Sequence, residues 1–391
     1  MDATGAYHRI TVCLSAVSGI WILGMLLCSV PWFQRQMLYL HWVKIWWGFK
    51  LDRPETFGFL KSQVAPFRIA TSDGERLYAW LIAPLGIYAK HIESFQKEKV
   101  GPFVDVKERL AFKLLAQDPE ARLVIYFHGN TATIGQGRRT EEYRVLSSGA
   151  SDKIFILTFD YRGFGHSTGT PTEAGCINDA IAVLEWALNE AHIPADRIVL
   201  LGHSLGTAVA SAAAQYAINL DPPAQIAGVV TCAGFSDAKN AFLSYSVGGV
   251  LPVFAPLKFM PWLSAWLGRR VKDTWKSADR LAELVQKSKK IRVTMVHATG
   301  DIVMPFYQSN ELFYRVVEAV SGHKMTREEI DKLKESIDLG DGGVVDSWTD
   351  GERIIRKEIV YHGGHDSIMK WTPVALAVVR SFDLPQASAL V

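Results

Sequence analysis

Two pentapeptides in this chain have the form Gly-x-Ser-x-Gly: Gly165-His166-Ser167-Thr168-Gly169 and Gly202-His203-Ser204-Leu205-Gly206. A serine hydroxyl becomes a nucleophile where a strand runs directly into it and a helix leaves directly after it, with glycines where side chains would collide. Ser204 has that setting. The run Arg-Ile-Val-Leu-Leu (197–201) leads in, and an alanine-rich helical stretch over 207–217 leads out. Ser167 lacks it, because a loop separates it from the preceding strand. Thr170-Pro171-Thr172-Glu173 then reads as a fresh helix start with a proline and a capping acid. Ser204 is therefore the candidate nucleophile and Ser167 a turn residue. A helix beginning under Ser204 aims its positive dipole end and the Leu205 backbone N–H at the place where an oxyanion would form. The abrupt His128-Gly129-Asn130-Thr131 break after an earlier strand suggests the second donor, the Asn130 N–H, with Thr131 as runner-up. His128 itself reads as a loop-ordering histidine.

Serine needs a base, and the base needs an acid to orient it. Val360-Tyr361-His362-Gly363-Gly364-His365-Asp366 offers two histidines. His365, past the flexible Gly-Gly, can lean over a sheet edge, whereas His362 reads as the strand's end. Asp301 follows the strand-like run 291–298 through Thr299-Gly300, at the kind of strand C-terminus where open α/β sheets keep their sites. Asp237, after the preceding strand, is its rival. Ser204, Asp301 and His365 occur in the chain order that such an elbow requires. Acyl transfer by these groups calls for no metal or organic cofactor.

The elements that must position them alternate. Apolar, β-branched runs at 122–129, 153–161, 197–204, 226–234, 291–301 and 353–364 are separated by helical patterns at 172–190, 205–218, 304–319 and 371–382. This predicts an α/β fold with a mostly parallel sheet covered by helices on both faces. An antiparallel hairpin around Asp73-Gly74 precedes it. Three stretches exceed a simple crossover. Residues 86–121 come before the first parallel strand. Residues 235–290 carry Phe254, Phe259, Trp262 and Trp266, and read as a helical, apolar cap. Residues 320–352 are charged. There a Thr326-x-x-Glu329 capping box opens a short helix that Gly340, Gly342 and Gly343 are expected to close, and Asp338, Asp341 and Asp346 are expected to lie in a solvated turn.

The N-terminal end differs in character. After a tail of residues 1–9, residues 10–30 are uncharged. As a helix rising about 1.5 Å per residue they match a hydrocarbon core of about 30 Å, and the run lacks the short apolar core and small-residue cleavage site of a secretory signal. Residues 31–64 carry Trp32, Trp42, Trp46 and Trp47, with Gln34, His41, Lys44 and Gly48 on one helical arc. That predicts an amphipathic segment along the membrane surface, holding the body (65–391) at the bilayer. Arg35, Lys44, Lys50 and Arg53 outnumber Arg9, which favours a cytosolic body, although long domains translocate largely regardless of charge. Net charge +2 gives no electrostatic basis for nucleic-acid binding, and Cys13, Cys28, Cys176 and Cys232 are too scattered for a disulfide scaffold or a zinc site.

HGNTAT (128–133), FDYRGFGHSTGTPTEAG (159–175), GHSLGTAVA (202–210), HATGDIVMP (297–305) and YHGGHD (361–366), behind an apolar N-terminal helix, resemble the membrane-anchored α/β-hydrolase domain-containing lipases. The similar branch is that of lysophosphatidylserine and monoacylglycerol lipases of the endoplasmic reticulum and their fungal relatives. The resemblance implies the α/β-hydrolase fold, Ser204 as nucleophile, Asp301 as acid, His365 as base, and a glycerolipid or lysophospholipid substrate taken from the bilayer. It also implies a single-pass protein of the endoplasmic-reticulum membrane. The alternatives are an acyl-protein thioesterase with the same triad and, less well matched, a non-catalytic membrane-tethered binding module.

Overall fold

The computed structural model describes residues 3–43, 50–99, 105–244 and 254–382. Ten strands form one sheet: β1 (Val64–Ala70), β2 (Arg76–Ile82), β3 (Arg122–Phe127), β4 (Ile154–Phe159), β5 (Ile198–His203), β6 (Gly228–Cys232), β7 (Lys290–Ala298), β8 (Glu335–Asp338), β9 (Val344–Asp350) and β10 (Glu352–Val360). Their spatial order is β1-β2-β4-β3-β5-β6-β7-β10-β9-β8. The six central strands run parallel, and β1 and β2 form the antiparallel hairpin at one end. Because side chains alternate across a strand, each β3 residue serves one of two cores. Leu123, Ile125 and Phe127 join the larger cluster, and Val124 and Tyr126 the smaller. The helices Glu173–Glu185, Leu205–Ile218, Ser277–Lys287 and Tyr307–Ser321 cover the first face, while Gly137–Ser148 and Thr372–Ser381 cover the second.

Two expectations change. The charged stretch 320–352 does more than make a solvated turn. Its capping box opens Arg327–Leu333 as expected, but that helix ends at Lys334. The glycines instead make the β8–β9 turn, where Gly343 at φ 128° lies so close to the Ile359 carbonyl that a Cβ would collide. β9 pairs with β10 and β8 with β9, so the insertion lengthens the sheet. Asp346 is a buried β9 residue held by Lys334 (2.9 Å), Lys357 (2.8 Å) and Ser336 (2.6 Å). Within 235–290, Ser277–Lys287 packs on Leu205–Ile218 and Tyr307–Ser321 as an ordinary crossover helix. Among the described residues there, the helices Ala238–Ser244 and Pro261–Gly268 and the turn Ala255–Phe259 precede it in the chain.

Ala3–Cys28 is one continuous helix whose stretch Tyr7–Cys28 is long and apolar enough to cross a membrane, with almost all of its surface outward. Pro31 starts a second helix, Pro31–Tyr39. Its Trp32 is exposed, as is Trp42 beyond it, but Tyr39 is fully buried in the body. The expected surface-lying segment is thus anchored inward at its end. Lys44, Trp46, Trp47 and Gly48 lie outside the described residues.

Candidate active site

β5 delivers Ser204 at φ 51°, ψ −120°, a conformation a non-glycine residue adopts only under constraint. The constraint is packing. A Cβ on Gly202 would stand 2.3 Å from the Gly206 carbonyl oxygen, and one on Gly206 would stand 2.0 Å from that of Phe127. Only glycines let the turn close this tightly, and the helix Leu205–Ile218 starts immediately. As its first residue, Leu205 has no intrahelical acceptor for its N–H. Ser167 occupies a different kind of turn, where its hydroxyl donates to the Asp160 carbonyl (2.6 Å) and accepts from the Tyr78 N–H (2.8 Å).

Ser204, His365 and Asp301 come together from three loops. His365 Nε2 lies 2.9 Å from Ser204 Oγ, and Nδ1 lies 2.7 Å from Asp301 Oδ2. A carboxylate only accepts, so Nδ1 carries the proton and Nε2 is free to accept one from the serine. Asp301 is fastened by the backbone N–H groups of Val303 (2.9 Å) and Met304 (2.7 Å) on Oδ1. Burial would raise its pKa, but the hydrogen bonds from His297 and His365 outweigh burial and hold the carboxyl well below the usual range. The two rivals are elsewhere. Asp237 accepts from the Asn240 N–H at the start of Ala238–Ser244, and His362 is exposed.

The loop after β3 turns through Thr131 and Ala132, both at positive φ (63° and 55°). The Thr131 N–H donates to the Tyr39 carbonyl at 2.9 Å, which removes the runner-up donor and leaves the Asn130 N–H as the candidate beside Leu205. His128 is fully buried under this loop, and burial pushes its pKa well down, in keeping with a neutral, ordering role.

Four supporting residues had no sequence signal of their own. Arg139, buried on Gly137–Ser148, gathers the loop's carbonyls: Thr133 (2.7 Å), Thr131 (2.9 Å), Asn130 (3.0 Å) and Gly129 (3.1 Å). His203 Nε2 donates to the His365 carbonyl at 2.9 Å, and burial pushes its pKa down to about 4, so it is neutral. His297 Nε2 lies 2.8 Å from the Met304 carbonyl and 3.2 Å from Asp301 Oδ2. Neither partner donates, so Nε2–H is shared between them, and Ser309 Oγ–H donates to Nδ1 at 2.7 Å. Tyr39 is the fourth. His203, Asp366 and His365 also converge closely enough to suggest metal ligands. His365 is already committed to Ser204 and Asp301, so they do not form a free donor set.

Ser204 lies in the wall of a cavity of about 330 Å³, among Met37, Leu38, Leu40, Phe235, Phe242 and Phe254. Met37, Phe242 and Phe254 also line a second, smaller hollow that continues past Leu257 and Leu267 to Cys28 at the end of the N-terminal helix.

This fold and site define a serine hydrolase acting on ester bonds. The chain belongs to the alpha/beta hydrolase fold family, whose match covers residues 122–375. It is similar to lysophosphatidylserine lipase ABHD12 of Danio rerio, at 26% identity over 321 residues, 78% of this chain and 74% of that protein. To lysophosphatidylserine lipase ABHD12 of Gallus gallus it is 30% identical over 200 residues, 49% of this chain and 46% of that one. To Protein ABHD12B of Homo sapiens it is 43% identical over 93 residues, 24% of each. The chain thus spans most of the fish relative but less than half of the other two. Among solved structures, an alpha-beta hydrolase from Vibrio vulnificus matches with a TM-score of 0.57 at 13% identity, over 90% of this chain and 94% of that one, a likeness of fold.

Proposed function

We propose that the protein is a membrane-anchored lipase that cleaves the carboxylic ester of a monoacylglycerol or lysophospholipid through an acyl-enzyme on Ser204. The observation that carries this reading is the apolar continuity from Ser204 to the foot of the N-terminal helix, past Met37, Phe242, Phe254, Leu257 and Leu267. An acyl chain gains about 0.8 kcal/mol per buried CH₂, so a corridor of this kind favours long chains over acetyl. The relatives' activity on lysophosphatidylserine supports a lipid ester. The anchor is read as Tyr7–Cys28, and its address as the endoplasmic-reticulum membrane, the latter on the family resemblance.

In the cycle, His365 Nε2 takes the Ser204 proton as Oγ attacks the ester carbonyl carbon. The N–H groups of Leu205 and Asn130 hold the resulting oxyanion. The carbonyl re-forms, the C–O bond to the glycerol breaks, and His365 returns the proton to the leaving alcohol. Water then attacks the acyl-enzyme with His365 again as base, releasing the fatty acid and restoring the serine hydroxyl. Asp301 holds the imidazole tautomer and stabilises the imidazolium throughout.

A fluorophosphonate probe tests the nucleophile. Ser204→Ala should abolish labelling, while Ser167→Ala keeps it in whatever fraction stays folded. Label persisting on Ser204→Ala overturns the assignment. Monoacylglycerols, lysophospholipids and an S-acylated peptide offered side by side then separate the lipase from the thioesterase. Faster turnover of the thioester, or of acetyl esters, refutes the lipid reading.

A further inference from the structure

Among the described residues of the body, the helix Pro261–Gly268 and the turn before it carry the most exposed large apolar side chains. Phe259 is 87% and Trp262 71% exposed, with Met260 between them also exposed. The opposite face of the same segment is packed on the N-terminal helix. Phe254, Leu257 and Leu267 bury Met25, with Trp21, Cys28, Leu263 and Trp266 against the same cluster. Trp21 to Cys28 is two turns of helix, about 10 Å at 1.5 Å per residue. If Tyr7–Cys28 crosses a bilayer, those two turns occupy the last third of the hydrocarbon layer and its edge. Whatever packs on them stands at the same depth.

We propose that the face tipped by Phe259, Met260 and Trp262 is a second membrane contact, seated in the interfacial layer of the bilayer beside the span. This rests on the reading of Tyr7–Cys28 as the anchor. Charge agrees with the occupant: among the described residues, exposed Lys239, Arg269, Arg270 and Lys272 border this segment, which suits an anionic lipid surface. Arg270 lies over the Trp266 ring at 4.0 Å, an aromatic and cation paired as at a headgroup boundary. The contact sets the hollow bounded by Cys28, Leu257 and Leu267 at the level of the lipid chains, so a substrate slides laterally toward Ser204 without crossing water.

The test uses the full chain in vesicles of phosphatidylcholine with phosphatidylserine. Cys13→Ser and Cys28→Ser remove the cysteines outside the body, and Cys176 and Cys232 are buried. A polarity-sensitive fluorophore is attached at Trp262→Cys or, for comparison, at exposed Lys332→Cys. The proposal expects a blue shift at 262 that spin-labelled phosphatidylcholine quenches, and neither effect at 332. A label at 262 as aqueous as that at 332 overturns it. A blue shift that the lipid quencher leaves untouched also overturns it, since a second copy or another protein would then cover the face. Phe259→Ser with Trp262→Ser should lower hydrolysis of vesicle-embedded long-chain monoacylglycerol about fivefold or more and leave a soluble short-chain ester within about twofold. Equal effects on both, or on neither, count against the proposal. Failure of the wild-type chain to stay with the vesicles after alkaline extraction would instead refute the anchor, and failure to take a fluorophosphonate would refute the catalytic reading.

Discussion

Arg139 shows how much of the site depends on a side chain that acts through the backbone of another loop. Two consecutive left-handed residues, Thr131 and Ala132, relax unless something holds them, and one guanidinium holds four carbonyls of that loop. Lysine has no planar fork to reach them together. Arg139→Lys should lower kcat by about 10–100-fold with KM nearly unchanged, because a displaced oxyanion donor is felt in the transition state. Steady-state kinetics on a short-chain ester decides it, and a rise in KM alone would place Arg139 in binding instead. His203 belongs to the same scale. Its pKa is about 4 folded against an ordinary 6.5, so between those values the unfolded chain binds the extra proton and stability falls as pH falls from 6.5 toward 4. His203→Gln keeps a donor for the His365 carbonyl but cannot titrate. Its melting temperature should therefore vary less than wild type's across that window, measured by calorimetry at stepped pH.

At the scale of elements, the second helix is the part whose role differs from expectation. Pro31–Tyr39 reaches from the foot of the apolar helix into the body, where the Tyr39 hydroxyl donates to Asp273 at 2.7 Å. The Tyr39 carbonyl takes the Thr131 N–H, and Gln34 bonds the Arg270 carbonyl at 3.0 Å. It thus ties the apolar N-terminal helix to the loop that carries Asn130 and to the segment that ends at Arg270. Tyr39→Ala should cut kcat on a soluble ester by about tenfold or more in folded protein. Adding Thr131→Gly should recover part of that loss, since glycine adopts φ 63° without strain. No recovery would mean that the loop does not depend on Tyr39. The β8–β9 extension makes a separate prediction. Asp346 is the shared anion of Lys334 and Lys357, so Asp346→Ala should destabilise by about 3 kcal/mol in urea unfolding, and Lys357→Met should relieve part of it.

For the whole molecule, the deletion that removes the apolar N-terminal helix is not the one that removes the helix after it. Truncation of residues 1–30 takes away a mostly exposed helix, uncovers the Phe254, Leu257 and Leu267 cluster on which its last turns pack, and leaves Tyr39 in place, so the body should still fold and keep most of its turnover of a soluble ester. Truncation of 1–43 also empties the fully buried Tyr39 site, which costs on the order of 3–5 kcal/mol for a large aromatic, and should lose activity. Melting curves and ester turnover on both proteins distinguish the two. Equal behaviour would show that the second helix is only a tether.

Read along the chain, the periodicity of apolar residues was sufficient to locate β3 to β7 and β10, the entry hairpin and the apolar N-terminal helix, but not the order of the strands in the sheet. These features are local, because a covered parallel strand must be β-branched throughout and a crossing helix must be uncharged for its length. The elbow was legible for the same reason, since Gly202 and Gly206 answer a steric demand within five residues. From the residues themselves, Asp301 and His365 were legible through their positions at strand ends, with Asp237 and His362 as rivals that the family resemblance ranked lower and the distances set apart. Contacts between residues far apart in the chain left no such mark. Arg139 looks like any helix arginine, Tyr39 like one more interfacial aromatic and Asp346 like a solvated acid. What each does depends on which carbonyl, hydroxyl or ammonium the fold brings within 3 Å of it, and that is decided by packing of the whole chain.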